Sequence, residues 1–252
     1  EKLIHEVGQD GVLLYLLMGQ SNMAGRGEVG AIDQQTHPRV FAMDAADEWI
    51  SACEPVHFDK PHLCGTGPAM AFARIMADRH PAAKIGLIPC AMGGSTLQQW
   101  QRGSDLYQTA VDRARVAMRV GCICGMLWHQ GESDAMQADT AQSYGGRLSR
   151  LIEDLRRDLD CPDLAVVVGQ IGDFLSEQMD RKWTQVVNDA LANLPSDISR
   201  CACVSASGLG HNEHDLHFNA AGSRELGERF AHAMLSLGTC EDSGIDHSLV
   251  PG

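Results

Sequence analysis

Two residues carry the most specific chemistry in this chain: a serine at the end of an apolar run, and a histidine almost two hundred positions later. Gly19-Gln20-Ser21-Asn22-Met23 follows Val12-Leu13-Leu14-Tyr15-Leu16-Leu17, a run with the length and composition of a strand buried on both faces. A hydroxyl just past such a strand lies at the edge of the sheet, where ligands of open α/β sheets bind. Unassisted, a serine hydroxyl is a poor nucleophile and needs a base within hydrogen-bond reach. His217, in a late polar segment, is the candidate base. Attack on an ester would then need donors aimed at the developing oxyanion. The backbone N–H of Ser21, that of Gly94 or Gly93, and the side-chain amide of Gln130 are the candidates. Taken alone, Ser21 or Asn22 would read as the cap of the next helix. The company these residues keep reverses that reading.

Other candidates have plainer alternatives. A charged acceptor cannot stabilise an oxyanion, so Glu132 is read as orienting Gln130 or its loop. Gln20, Asn22 and Gly93 flank the same turns and are read as binding substrate or orienting loops. Trp100 and Trp49 could stack on a sugar ring, but tryptophan is more often a packing residue. Trp128 falls inside an apolar run and reads as core. His211, His214 and His217, interleaved with Glu213 and Asp215, could suggest a metal cluster, yet nothing else has the spacing to complete one. No metal and no other cofactor is expected. Nine cysteines include the pairs Cys122/Cys124 and Cys201/Cys203. Zinc ligands are usually separated by two to four residues, so these pairs read as small core hydrophobes.

These residues must be positioned by regular elements. Apolar runs predict five buried strands, at 12–17, 39–43, 85–90, 123–128 and 164–168, and Cys201 to Val204 has the length of a further short one. Apolar periodicity and capping signals predict helices over 68–79, 105–120, 140–159, 183–194 and 219–237. The stretch 51–67, with Pro55, Pro61, Gly65 and Gly67, is a long loop of the kind that is often functional. Its His57 and His62 read as surface residues. Alternating strands and helices predict a parallel sheet with helices on both faces. No linker divides residues 1–252, so a single domain is expected, with 239–252 as a tail. In such a sheet the turns at 20–22, 93–95 and 130–132 share one edge.

Gly19-Gln20-Ser21-Asn22-Met23, Gly93-Gly94-Ser95-Thr96-Leu97-Gln98-Gln99-Trp100, Trp128-His129-Gln130-Gly131-Glu132-Ser133-Asp134 and Leu216-His217-Phe218 together resemble one family. It is the sialate O-acetylesterase-like branch of the SGNH hydrolases, which includes the acetyl xylan esterases of carbohydrate esterase family 6. The resemblance runs from residue 12 to about 236. It implies a flavodoxin-like three-layer α/β/α sandwich, here with a five-stranded parallel sheet, and removal of O-acetyl groups from carbohydrates through an acetyl-serine intermediate. The family pattern places an aspartate three residues before the histidine, where this chain has His214. In an extended segment residues two apart face the same way, which favours Asp215 as the acid behind His217. Glu213, four residues before, is the second candidate, and a Ser–His dyad backed by a backbone carbonyl is the third. Two other functions stay open at this level: a broader short-chain ester hydrolase of the same fold, and a catalytically impaired carbohydrate-binding module.

Bulk properties narrow the partners. A net charge of −13 argues against nucleic acid and anionic membrane, which both call for a basic face. No apolar run approaches the roughly 18 residues of a membrane span. An acetylated carbohydrate or another small acetyl ester fits better; oligomeric state has no sequence signal. The sequence opens at Glu1 with no basic-then-apolar leader. Unpaired cysteines favour the cytoplasm, whereas removal of a signal would place the protein outside it or in the periplasm.

Overall fold

The computed structural model describes residues 11–177, 180–213 and 216–238. Strand β1 (Val12–Gly19) is the centre of the fold because, apart from the Tyr15 hydroxyl, its side chains are apolar or absent and all eight residues are buried. Alternation sends Val12, Leu14, Leu16 and Met18 to one face of the sheet and Leu13, Tyr15 and Leu17 to the other. Around it lie β2 (Val40–Met43), β3 (Trp49–Ser51), β4 (Lys84–Pro89), β5 (Cys122–His129), β6 (Ala165–Gly169) and β7 (Cys201–Val204). Their order is β3-β2-β4-β1-β5-β6-β7. All pairings are parallel except that of β2 with β3.

The helices are α1 (Ser21–Ala24), α2 (Ala69–Arg79), α3 (Asp105–Ala117), α4 (Ala138–Gln142), α5 (Tyr144–Asp158), α6 (Thr184–Asp197) and α7 (Ala220–Ser236). Residues of α2 and α7, including Phe72, Met76, Phe230 and Met234, pack with Leu13, Tyr15 and Leu17. Residues of α3, α5 and α6, including Tyr107, Leu148 and Leu191, pack on the opposite face. The result is a helix–sheet–helix sandwich with two cores, as an all-buried parallel sheet requires.

The sheet has seven strands, two more than the five expected. One addition is β7, the short run at Cys201–Val204. The other is β3, a three-residue edge strand too short to show a period. The polar run from Asp44 to Glu48 is the connection into it: Asp44 Oδ1 accepts from the backbone N–H of Ala46 (2.8 Å) and Glu48 (3.0 Å). A side chain that satisfies backbone donors in this way makes the turn and leaves β3 to pair antiparallel. The helix expected over 140–159 is broken at Ser143. There the serine Oγ donates back to Asp139 O (2.7 Å), a bond that competes with helix geometry. His57 is not on the surface: it is 4% exposed, and burial pushes its imidazole down to about 4. Cys201 and Cys203 keep free thiols pushed up to about 11 and about 12 by burial, which suits packing rather than ligation.

The topology places the crevice. From β1 the chain goes out to β2, returns to β4 beside β1, and then crosses to β5 and beyond on the other side. Loops leaving β1, β4 and β5 therefore diverge around one point at the carboxyl edge, where open α/β sheets bind ligands.

Candidate active site

Ser21 opens α1 directly at the end of β1. Gly19, with φ +139°, makes this turn possible: a Cβ there would lie 2.0 Å from the carbonyl oxygen of His129 on β5. The close approach also lets Gln20 N donate to His129 O (2.9 Å). Ser21 is thus fixed by main-chain geometry before any side chain contributes.

His217 arrives from the far end of the sequence. Its loop is closed by main-chain bonds from Asn212 N to His217 O (2.9 Å) and from Asn219 N to Gly210 O (3.0 Å). Asn219 then caps α7 by accepting from Gly222 N (2.9 Å). His217 Nε2 lies 3.0 Å from Ser21 Oγ, across 196 positions of sequence. For Nε2 to accept the hydroxyl proton, Nδ1 must hold the ring's own.

Asn22 clamps this loop on both sides of the imidazole. Its Nδ2 donates to Glu132 Oε1 (2.6 Å) and to Leu216 O (3.3 Å), and its Oδ1 accepts from Phe218 N (3.1 Å). Glu132 is 1% exposed, with Oε1 3.7 Å from Nδ1 of the buried His129. Burial lowers the His129 pKa, and its Nε2 donates to Gln170 O (3.0 Å). Burial likewise lowers His217 below its usual range, opposed by the negative charge of Glu132 and assisted by Arg26 and Arg181. His217 therefore stays neutral, and able to accept a proton, down to a pH below the free imidazole value.

The three turns expected at one edge do meet, and Gln130 is where they touch. Its Nε2 donates to Gln20 Oε1 (3.1 Å), Ser95 O (3.1 Å) and Asp134 Oδ2 (2.7 Å). Its Oε1 accepts from Tyr144 Oη (3.0 Å), and the residue is 0% exposed. An amide with every donor engaged has none for an oxyanion, so Gln130 is a brace and not the third donor expected. Asp134 is the other half of this brace, also taking Leu97 N (2.8 Å) and Arg147 Nη2 (2.8 Å). Of the two glycine N–H groups, that of Gly93 donates to Asp59 Oδ2 (2.8 Å). Among the described residues, the N–H groups of Ser21 and Gly94 find no hydrogen-bond acceptor.

Trp100 cannot stack on a sugar. It is 0% exposed, packs edge-to-face on Trp128 (5.7 Å) and donates from Nε1 to Ser95 Oγ (2.9 Å), so it supports the Gly93–Ser95 turn from below. Asp215, the favoured acid, lies outside the described residues, as does His214. Glu213 makes no ion pair with His217 and lines a cleft of about 410 Å³. Arg26, Glu28, His211, Asn212 and Asn219 also line it, so the cleft lies between the loop after α1 and the segment leading into α7, and neither Ser21 nor His217 is part of its lining. Among the described residues no cluster of His, Cys, Asp or Glu could hold a metal ion, and no helix is long and apolar enough to cross a membrane.

The walls of this region are joined backbone to backbone. Gly27 and Thr66 form an antiparallel bridge, and Gly65 N donates to Gly25 O (3.1 Å). A Cβ on Gly27 would fall 2.6 Å from Ala220 Cα, and one on Gly65 would fall 2.1 Å from Gly27 O. No side chain separates the loop after α1, the 52–68 loop and the start of α7.

A family model for carbohydrate esterases described as sialic acid-specific acetylesterases matches residues 11–236. This chain belongs to that family. The esterase is 34% identical over 245 residues to a probable carbohydrate esterase of Arabidopsis thaliana, covering 88% of this chain and 90% of the plant protein. The crystal structure of that plant protein superposes with a TM-score of 0.82, over 90% of this chain and 98% of the other. NanS (TM-score 0.74, 19% identity, 91% of this chain and 98% of that one) shares the fold. So does a carbohydrate acetylesterase from Xanthomonas citri (TM-score 0.65, 15% identity, 90% of this chain and 56% of that one).

Proposed function

We propose that this esterase removes O-acetyl groups from carbohydrates through an acetyl-Ser21 intermediate. The observation that carries the reading is the 3.0 Å contact between Ser21 Oγ and His217 Nε2. As Oγ bonds to the acetyl carbon, its proton passes to His217 Nε2 and the carbonyl electrons move onto oxygen. The N–H groups of Ser21 and Gly94 receive that negative charge. The C–O bond to the sugar then breaks, and His217 returns the proton to the departing alkoxide. Water repeats the sequence on the acetyl-serine, releasing acetate and free Ser21.

Glu132 supports the imidazolium that forms midway. It is held beside His217 by Asn22, and its charge favours the protonated ring. The expected result for Glu132→Gln follows in sign: loss of that charge moves the acid limb of kcat/KM to lower pH. A limb that stays in place, measured with p-nitrophenyl acetate across pH 4–8, would remove Glu132 from this role.

The cleft between the loop after α1 and the segment leading into α7 mixes donors (Arg26, Asn212, Asn219) with acceptors (Glu28, Glu213), a lining suited to hydroxyl-rich ligands. The decisive measurement is acetate release from acetylated xylan and from O-acetylated sialic acid, with a fluorophosphonate label located by peptide mass spectrometry. Labelling confined to Ser21 together with acetate release is expected. Labelling elsewhere, or no acetate from either sugar, would reject the reading.

A further inference from the structure

Asp59 sits in the 52–68 loop, carries no sequence motif, and has a side chain with no exposed surface. Three donors converge on it from three segments. Its Oδ2 accepts from Arg26 Nη2 (2.8 Å) and from Gly93 N (2.8 Å), and its Oδ1 accepts from Cys64 Sγ (3.1 Å). Arg26 in turn donates from Nη1 to Gly25 O (2.7 Å), tying the carboxylate to the loop that follows α1. Burial works to raise the Asp59 pKa, but the donors from Arg26, Cys64 and Gly93 outweigh it and hold the group ionised.

The 92–95 turn is consequently held at every N–H but one. Met92 N donates to Gly19 O (2.9 Å), Gly93 N to Asp59, and Ser95 N to Met92 O (3.2 Å). Among the described residues, nothing claims Gly94 N. Two strong acceptors on neighbouring peptides fix the plane of the next one, and an oxyanion donor works only when its direction is set before the reaction. We infer that Asp59 is a positioning residue for the oxyanion: by holding Gly93 N–H it aims Gly94 N–H, while its charge balances Arg26 beside the catalytic pair. This rests on the reading of Ser21 as nucleophile and Gly94 as donor.

The test compares Asp59→Asn with the double variant Asp59→Leu/Arg26→Met. The asparagine amide is neutral, so its one oxygen accepts from Arg26 and Gly93 more weakly than the carboxylate does, and its Nδ2 faces Cys64 Sγ where an acceptor stood. For p-nitrophenyl acetate, kcat is expected to fall on the order of 10- to 100-fold with KM changed by less than about threefold. Asp59→Asn could also weaken the fold by leaving the Arg26 charge buried without its partner. The double variant removes both charges, so its melting temperature is expected to stay near wild type while kcat on the pH plateau remains low. Retention of kcat within threefold in a folded double variant, or a loss expressed in KM alone, would overturn the inference. Fluorophosphonate labelling of Ser21 in the wild-type protein separates the two levels: if it succeeds, failure of the variants counts against Asp59 only.

Discussion

Replacing Ser21 with alanine is expected to lower kcat/KM for p-nitrophenyl acetate by on the order of 10⁴-fold, and His217→Ala by a similar factor. The double variant should lose little more than either single one. A hydroxyl 3.0 Å from an imidazole nitrogen placed to take its proton acts as a unit with that nitrogen, so removing either half removes the nucleophile. What survives is the contribution of the Ser21 and Gly94 N–H groups acting on water-borne hydrolysis. Both variants should keep the wild-type melting temperature within a few degrees, because neither side chain bridges core elements. Multiplicative losses in the double variant would mean that the two residues act in separate steps, and the proposed mechanism would fall.

The second large effect is structural. Gly19→Ala is expected to destabilise the protein by more than about 4 kcal/mol, at the extreme end of single substitutions. The new methyl would meet His129 O at 2.0 Å, and alanine is strained at φ +139°. Relief requires β1 and β5 to separate at their carboxyl ends. That would break the 2.9 Å bond from Gln20 N to His129 O, which seats the nucleophile turn. A urea midpoint unchanged from wild type would show that the turn tolerates a side chain, and that Ser21 is placed by something other than this contact.

Legibility in the sequence followed the range of the interactions. The strand at β1, the helices on both faces and the convergence of the 20–22, 93–95 and 130–132 turns were readable because each depends on local composition and on parallel topology. Strand β3 was not, since three residues at an edge leave no period to detect. Gln130 has the right residue type for an oxyanion donor. Its exclusion depends on Gln20, Ser95 and Asp134 occupying its amide, three partners drawn from separate turns. Trp100 reads from sequence chiefly as a packing residue with sugar stacking as the lesser possibility, and only its enclosure by Trp128 and Ser95 removes the latter. Asp59 had no signal at all. An aspartate in a proline- and glycine-rich loop is ordinary, and only the fold brings Arg26, Cys64 and Gly93 to it.

The seam of bare backbone between Gly25, Gly27, Gly65, Thr66 and Ala220 bears on how such an enzyme can change its specificity. Surfaces that meet through side chains can be re-cut one at a time, since a shorter residue on one side makes room for a longer one on the other. Here there is nothing to trim. A graft that lengthens or re-angles any one of these three segments will pull the other two with it, so substrate range should be transplanted between relatives by exchanging all three together.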